Sequence, residues 1–317
     1  MSSRKHYPSI SRGDSLKPVK NLVASVHQRL KNVAQETHRP FNEIVQYYAL
    51  ERWLYRLAQS TYHDRVVLKG ALMLLVWKTP LTRPTRDIDL LGRINSSAES
   101  IAKFVTEVSQ TAVEDDGMRF DVSKLTIETV TEDADYVGRR AKFIGWLGKA
   151  RLPMQIDIGF SDVITPEPAS IDYPTILDQA APQLAAYNRE TAIAEKFHAM
   201  VKLGELNSRM KDFFDVMMLS ENYDFSGEVL AQAIKRTFAQ RETAVEAAPA
   251  CFSNEFAQDS TKQRQWGAFV HRSAFTDAAQ AFAEVAEKVK RFLGPPTAAI
   301  QNQTRFDANW IPGTGWK

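Results

Sequence analysis

Hydrophobic positions between Pro18 and Ser60 recur at three- and four-residue spacing. They run Val23, Val26, Leu30, Val33, then Ile44, Tyr47, Leu50, Leu54 and Leu57. That spacing lays one face of a helix against a core. Pro40 lacks an amide hydrogen and divides the run into two helices, with Asn42 a candidate cap for the second. The segment "RVVLKGALMLLVWK" begins as a strand and turns helical after Gly70. Pro80 and Pro84 mark a loop. "TRDIDLLG" then alternates as a strand does and ends at Gly92. "SAESIAKFVTEVSQTAV" predicts an amphipathic helix with Ile101, Phe104, Val105 and Val108 inward.

Three strand patterns follow, around "KLTIETV", "AKFIGWLG" and "MQIDIGF". Pro166, Pro168, Pro174 and Pro182 punctuate the chain and close this α/β region near residue 180. From residue 188 onward the periodicity is helical. Its clearest instance is "AAQAFAEVAEKVKRFLGPP", with Phe282, Val285, Val289 and Phe292 inward and Gly294–Pro295 as the stop. The tail, "TRFDANWIPGTGWK", is aromatic but irregular and is expected to pack across the body. The division is therefore amino-terminal helices over 1–60, a mixed core over 61–182, a helical domain over 183–294 and a tail over 295–317.

Composition narrows the classes. Of 317 residues, 44% are hydrophobic and 25% charged, which is the composition of a globular chain. Forty Lys and Arg against 38 Asp and Glu leave +2, so any nucleic-acid surface is a local patch. A single cysteine, Cys251, excludes an internal disulfide and a Cys-rich zinc site. No stretch approaches the ~18 apolar residues of a membrane helix, and "MSSRKHYPSISRGDSLKPVK" has no apolar signal core. The expectation is a soluble, cytoplasmic protein.

The candidate chemistry lies in "RDIDLLG". On a strand, Asp87 and Asp89 share one face, and Ile88 and Leu90 take the other. Two carboxylates so placed repel unless a cation lies between them. Mg²⁺ held by a few carboxylates, with positions left for substrate phosphates, is the arrangement phosphoryl or nucleotidyl transfer requires. A bare D-x-D also fits an exposed strand face. A calcium loop does not fit, because Leu91 and Ala98 stand where it needs oxygen donors. Asp157 in "MQIDIGF" supplies a third carboxylate opposite an apolar back face, able to share the metal or accept a hydroxyl proton. Gly70, between a strand and a helical stretch, can turn backbone N–H groups toward phosphate. No G-x-x-x-x-G-K-[ST] and no H-E-x-x-H is present. In "ETAIAEKFHAMVKLGELNSRMKDFFDVMML", Ile193, Phe197, Met200 and Val201 form a core stripe with Lys196 at its edge. Asn207 or Ser208 is a candidate cap for the next helix, on which Asp212 and Asp215 share a face. One reading has Lys196 neutralising phosphates and Asp212 orienting the site. The other has a solvated face with a Lys211–Asp215 pair. Arg139, Arg140, Lys142, Lys149 and Arg151, with Trp146 among them, fit either an RNA backbone track or ordinary surface.

Taken in order, "NEIVQYYALERWLYRL", "VVLKGALMLLVW", "RPTRDIDLLG", "QIDIGF", "AIAEKFHAMVKLG" and "RMKDFFDVMML" resemble the AbiEii/AbiGii family of nucleotidyltransferase toxins, which includes the MenT-type toxins. The resemblance runs from about residue 20 to 294. It implies an α/β (α+β) fold: a DNA polymerase β-like nucleotidyltransferase core with amino-terminal helices and a helical carboxy-terminal domain. It implies abortive-infection or toxin–antitoxin biology, hence phage defence and an antitoxin encoded alongside. It also implies Mg²⁺ or Mn²⁺, an NTP substrate and the 3′ end of tRNA as acceptor, with translation blocked. Carried over, the first motif falls on Gly70, Asp87 and Asp89, the lysine motif on Lys196, and the last on Lys211, Asp212 and Asp215. The catalytic set is then Asp87, Asp89, Asp157, Lys196 and Asp212, with Asp87, Asp89 and Asp157 on the metal. Lys69, Gly70, Arg86, Lys196 and Lys211 would contact the nucleotide. One departure is Ala71, where the family pattern has Ser or Thr after the glycine. The alternatives are a catalytically degenerate binding protein on the same scaffold, or nucleotidylation of a protein or small molecule.

Overall fold

The computed structural model describes residues 21–79, 84–132, 136–273 and 280–317. The amino-terminal segment read for targeting, the loop residue Pro80, and Ala278 and Ala279 lie outside them.

Two helices open the described chain, α1 (Leu22–Glu36) and α2 (Phe41–Gln59). The Asn21 side chain caps α1 by accepting the Ala24 N–H at 3.1 Å. Asn42 does not cap α2. Pro40 holds that position at φ −56°, its ring already near helical geometry, and Asn42 is the second residue inside. Although patterned as amphipathic, α2 is buried on nearly every side. Its Glu51, Arg52 and Arg56 sink with it, and Arg56 forks onto Asp116 at 2.7 and 3.0 Å.

Then come β1 (Val66–Lys69), a single 3₁₀ turn at Gly70–Leu72, α3 (Met73–Val76), β2 (Asp87–Gly92) and α4 (Ala98–Ser109). Ile101, Phe104, Val105 and Val108 of α4 are all fully buried, as their spacing predicts. Three long strands follow, β3 (Met118–Glu132), β4 (Tyr136–Leu147) and β5 (Ala150–Gly159), then β6 (Ala169–Asp172) and β7 (Gln183–Ala186). They form one seven-stranded sheet in the order β3-β4-β5-β2-β1-β7-β6. The β2–β5 and β1–β7 pairs are parallel and the others antiparallel. The sheet thus runs on to Ala186, beyond the prolines that mark a boundary in the sequence. Its inner face and the first helices make one apolar core, from Val26 to Ala186.

A second core, from Ile193 to Trp310, belongs to the helices. These are α5 (Arg189–Leu203), α6 (Met210–Asn222), α7 (Gly227–Gln240), α8 (Asn254–Gln258), α9 (Ser260–Arg272) and α10 (Phe282–Gln301), with β8 (Phe225–Ser226) between α6 and α7. Arg209 takes the N-cap position of α6, not Asn207 or Ser208. Asn207 acts one step earlier, accepting the Arg209 N–H at 2.8 Å.

Two expectations fail at the carboxy-terminal end. Gly294–Pro295 does not stop α10, which carries both Pro295 and Pro296 inside it. A proline at 296 cannot donate to the carbonyl of Phe292 four residues back. The Trp316 indole N–H donates there instead, at 2.9 Å. The tail is also not irregular. Its β9 (Asn309–Ile311) and β10 (Gly315–Trp316) join β8 in a small sheet, order β10-β9-β8.

Candidate active site

The site begins at the centre of the large sheet. Ile88 and Leu90 are fully buried, while Asp87 and Asp89 are half-buried on the opposite face of β2. Asp89 is paired in register with Lys69 of β1 on one side and Asp157 of β5 on the other. Gly70 follows at φ +73°, and a Cβ there would lie 1.9 Å from Asp89 Oδ2. Both facts require glycine. The backbone turn after β1 therefore rests directly on one of the paired carboxylates.

Asp157 is not free beside them. Arg140 from β4 forks onto it, Nε to Oδ1 and Nη2 to Oδ2, both at 2.7 Å. The Gln155 amide adds a third hydrogen bond at 3.2 Å. Among the described residues no group of three carboxylate, imidazole or thiolate side chains is gathered as a metal cage. The donor set is instead two hard oxygen ligands, Asp87 and Asp89, with Asp157 held back by Arg140. That suits Mg²⁺, which is commonly bound by one or two carboxylates plus substrate phosphates and water. Burial raises the pKa of Asp87, and the neighbouring Asp157 charge raises it further, against opposing Arg140, Lys211 and Arg86. A group so strained in its charged form is relieved by a nearby cation.

The opposite wall comes from α5 and α6. Lys196 reaches Asp215 at 2.7 Å and Asp212 at 3.2 Å, and Arg209 Nε reaches Asp212 at 2.6 Å. Both carboxylates are only 1% exposed. This rules out the solvated-face reading of the K-D-x-x-D segment. Burial pushes the Asp212 pKa up, but Lys196, Arg209 and Lys211 outweigh it and hold the carboxyl below its ordinary value. Lys69, Gly70 and Asp89 of the core and Lys196, Arg209 and Lys211 of the helices line one cleft. Arg86, by contrast, is exposed just before β2 and acts on the site through its field at Asp87. In the basic stretch of β4, Arg140 serves Asp157, Lys142 pairs with Glu128 at 2.8 Å and Arg139 donates to Ser96 O at 2.8 Å.

Pattern reading misses a further group at the back of the cleft. Lys69 Nζ contacts Asp162 at 2.5 Å and Glu195 at 3.3 Å. Arg241 Nη2 reaches the other oxygen of Asp162 at 2.7 Å. Tyr187 donates to Glu195 at 2.9 Å, and burial, with Asp162 next, pushes the Glu195 pKa up to about 6. The one available signal was Glu195 itself, charged and directly before Lys196 on an apolar helix. Asp162 and Arg241 lie in segments with no periodicity, and only the fold brings them together.

A mixed sheet whose central strand presents two carboxylates, faced by a helical wall of lysines and buried aspartates, defines a nucleotidyltransferase-type site. A family model described as "Nucleotidyl transferase AbiEii toxin, Type IV TA system" matches residues 52–288. The chain belongs to that family, the nucleotidyltransferase toxins of type IV toxin–antitoxin systems, and the family implies an antitoxin partner. No curated protein matches the chain. Two solved structures from Helicobacter pylori are similar to it. One, described as a candidate nucleotidyltransferase, is 15% identical with a TM-score of 0.43 and covers 88% of this chain and 95% of its own. The other, JHP933, is 14% identical with a TM-score of 0.44 and covers 90% and 94%. Among the described residues no helix is long and apolar enough to cross a membrane.

Proposed function

We propose that the chain transfers a nucleotide from an NTP to an acceptor hydroxyl, which attacks the α-phosphate and expels pyrophosphate, with Mg²⁺ or Mn²⁺ as cofactor, that the 3′ end of tRNA is the acceptor, and that translation is thereby blocked. The observation that carries this reading is the placement of Asp87 and Asp89 on one strand face against the Gly70 turn, across a cleft from Lys196, Arg209 and Lys211. Asp87 and Asp89 would hold the metal, which on binding neutralises phosphate charge and polarises the α-phosphate. Backbone N–H groups after Gly70 and the side chains of Lys69, Lys196 and Lys211 would receive the triphosphate. Ala71 offers no hydroxyl, so contacts at that turn come from the backbone alone. Asp212 and Asp215 fix Lys196 in place. Asp157 lies beside Asp89 and would take the acceptor proton once its fork with Arg140 opens. Arg86, exposed beside Asp87, would meet the outer phosphates or the incoming strand.

The test incubates purified protein with each labelled NTP, Mg²⁺ and total RNA. Label on tRNA-sized RNA that is lost with EDTA and with Asp89→Asn is expected. Label appearing only on protein would redirect the acceptor. Absence of metal-dependent transfer with every NTP would leave a binding protein on a transferase scaffold. In cells, growth arrest relieved by the neighbouring gene product is the expected sign of the antitoxin.

A further inference from the structure

We infer that Asp162 is an internal stand-in for polyphosphate: it bridges Lys69 and Arg241 and must be displaced when the triphosphate binds. This rests on the nucleotide-transfer reading of the same cleft and adds a residue to it that no motif marks.

The geometry is that of a bridging anion. One oxygen of Asp162 takes Lys69 Nζ at 2.5 Å and the other takes Arg241 Nη2 at 2.7 Å. The two cations come from different parts of the fold, Lys69 from the end of β1 directly before Gly70, and Arg241 from the residue after α7. Both line the cleft beside Asp89. Asp162 itself is on the irregular segment after β5, where its side chain is only 8% exposed. A Cβ at Gly159 would stand 3.5 Å from its Oδ2 and 3.8 Å from Lys69 Nζ. The absent side chain leaves space beside the bridge. Glu195 is the weaker holder of the same pair, at 3.3 Å from Lys69 and 3.9 Å from Arg241.

A carboxylate offers two oxygens and one negative charge. A triphosphate offers many oxygens and several charges, and its contacts to Arg are as readily bidentate. It can outbid Asp162 for both cations together, whereas a single phosphate gains little over the carboxylate it replaces. Asp162 thereby sets a threshold that favours triphosphate over monophosphate.

The probe is inorganic tripolyphosphate, titrated calorimetrically into the full-length protein, with orthophosphate beside it and NTP transfer followed on the same preparations. Asp162→Asn should bind tripolyphosphate about tenfold more tightly than wild type and should narrow its preference over orthophosphate. At pH 8, where both carboxylates are ionised, Glu195→Gln removes an equal charge from the same cations at longer range and should tighten binding less than threefold. Equal gains in the two variants would mean that only the net field matters and would overturn the displacement, as would unchanged or weaker binding in Asp162→Asn. A second measurement needs no variant. Tripolyphosphate should speed amide exchange over residues 160–164 of the wild type as Asp162 lets go, and slower or unchanged exchange there would also overturn it. If wild type transfers nucleotide but these signs are missing, this inference alone fails. If it neither transfers nucleotide nor binds tripolyphosphate, the nucleotide reading fails and this inference with it.

Discussion

The two walls of the cleft carry aspartates in opposite electrostatic states. On β2, Asp87 and Asp89 are half-exposed and lie against a third carboxylate, and the Asp87 pKa is raised by burial and by Asp157. On α6, Asp212 and Asp215 are almost wholly buried but each is matched by Lys196, and Arg209 adds to Asp212. The strand wall gathers three carboxylates on one face, opposed at Asp87 by Arg140, Lys211 and Arg86, whereas each buried aspartate of the helix wall has a lysine in direct contact. On the proposed reading, the strand face is the one that would accept an ion from outside. The other has its countercharge built in, with its lysine held between two buried carboxylates.

The strongest test of that contrast is Lys196→Ala. It removes the cation shared by two buried carboxylates, although Asp212 keeps Arg209, and breaking such a group costs about 3–5 kcal/mol, or roughly 10 °C in melting temperature for a chain of this size. Replacing Lys196, Asp212 and Asp215 together by Met, Asn and Asn should restore most of the stability but no transfer. A Lys196→Ala protein that melts like wild type would show that Lys196 does not hold the helix wall together.

Next in size is Gly70→Ala. The positive φ and the 1.9 Å approach to Asp89 both penalise a side chain, at about 1–3 kcal/mol. Because the clash falls on the Asp89 carboxylate, transfer should be lost as well. An active Gly70→Ala enzyme would separate the turn from the strand site.

Asp87→Asn and Asp89→Asn should do the reverse of Lys196→Ala. In EDTA their melting temperatures should equal or slightly exceed wild type, by less than about 1 kcal/mol, because each removes a repelling charge. Transfer should fall at least ~100-fold. Mg²⁺ should raise the melting temperature of wild type more than that of either variant. Equal Mg²⁺ responses would mean that the paired aspartates are only a polar strand face.

The smallest effect is a difference in sign with pH, read by metal-free melts. A raised folded-state pKa, as at Asp87, gives stability that is complete below the unfolded value near 3.8 and lost as pH rises through the folded value. The advantage of Asp87→Asn should therefore vanish near pH 3.5 and appear above it. A depressed pKa, as at Asp212, gives stability present above 3.8 and lost as pH falls through the folded value. The deficit of Asp212→Asn should accordingly shrink in acid. Parallel pH trends in the two variants would erase the contrast between the walls.

Hydrophobic period made most elements legible. The face of α4, the alternation through β2 and β5, and the helical stripe at Ile193, Phe197 and Met200 all read directly. Gly70, Asp87, Asp89 and Lys196 stand out as candidates because each interrupts an apolar pattern, but for Gly70 and Lys196 it is the family resemblance, not the spacing, that points to a role. What escaped depends on long-range partners. Spacing puts Asp157 on the right face but cannot show that Arg140, seventeen residues earlier in the chain, occupies it. Asp162 and Arg241 are 79 residues apart and sit between elements, so no window contains both. The burial of Glu51, Arg52 and Arg56 in α2 also contradicts their type. It follows from α2 packing against α1 and α4 as well as the sheet, which a single-helix pattern does not reveal.

Gly294–Pro295 reads as punctuation in the sequence for the same local reason. Because Trp316 supplies the donor that Pro296 withholds, and its ring lies parallel to Phe292 with centroids 5.7 Å apart, the second half of α10 is completed by a residue fifteen beyond its end. The small sheet also ties β9 to β8, and the Trp310 indole donates to Ser220 O in α6 at 2.6 Å. The helix and the tail therefore open as one cooperative unit. Amides across α10 should exchange at a common rate with those of β9, and the indole fluorescence of Trp310 and Trp316 should report the melting of the whole helical domain, the part of the molecule that holds Lys196 over the cleft.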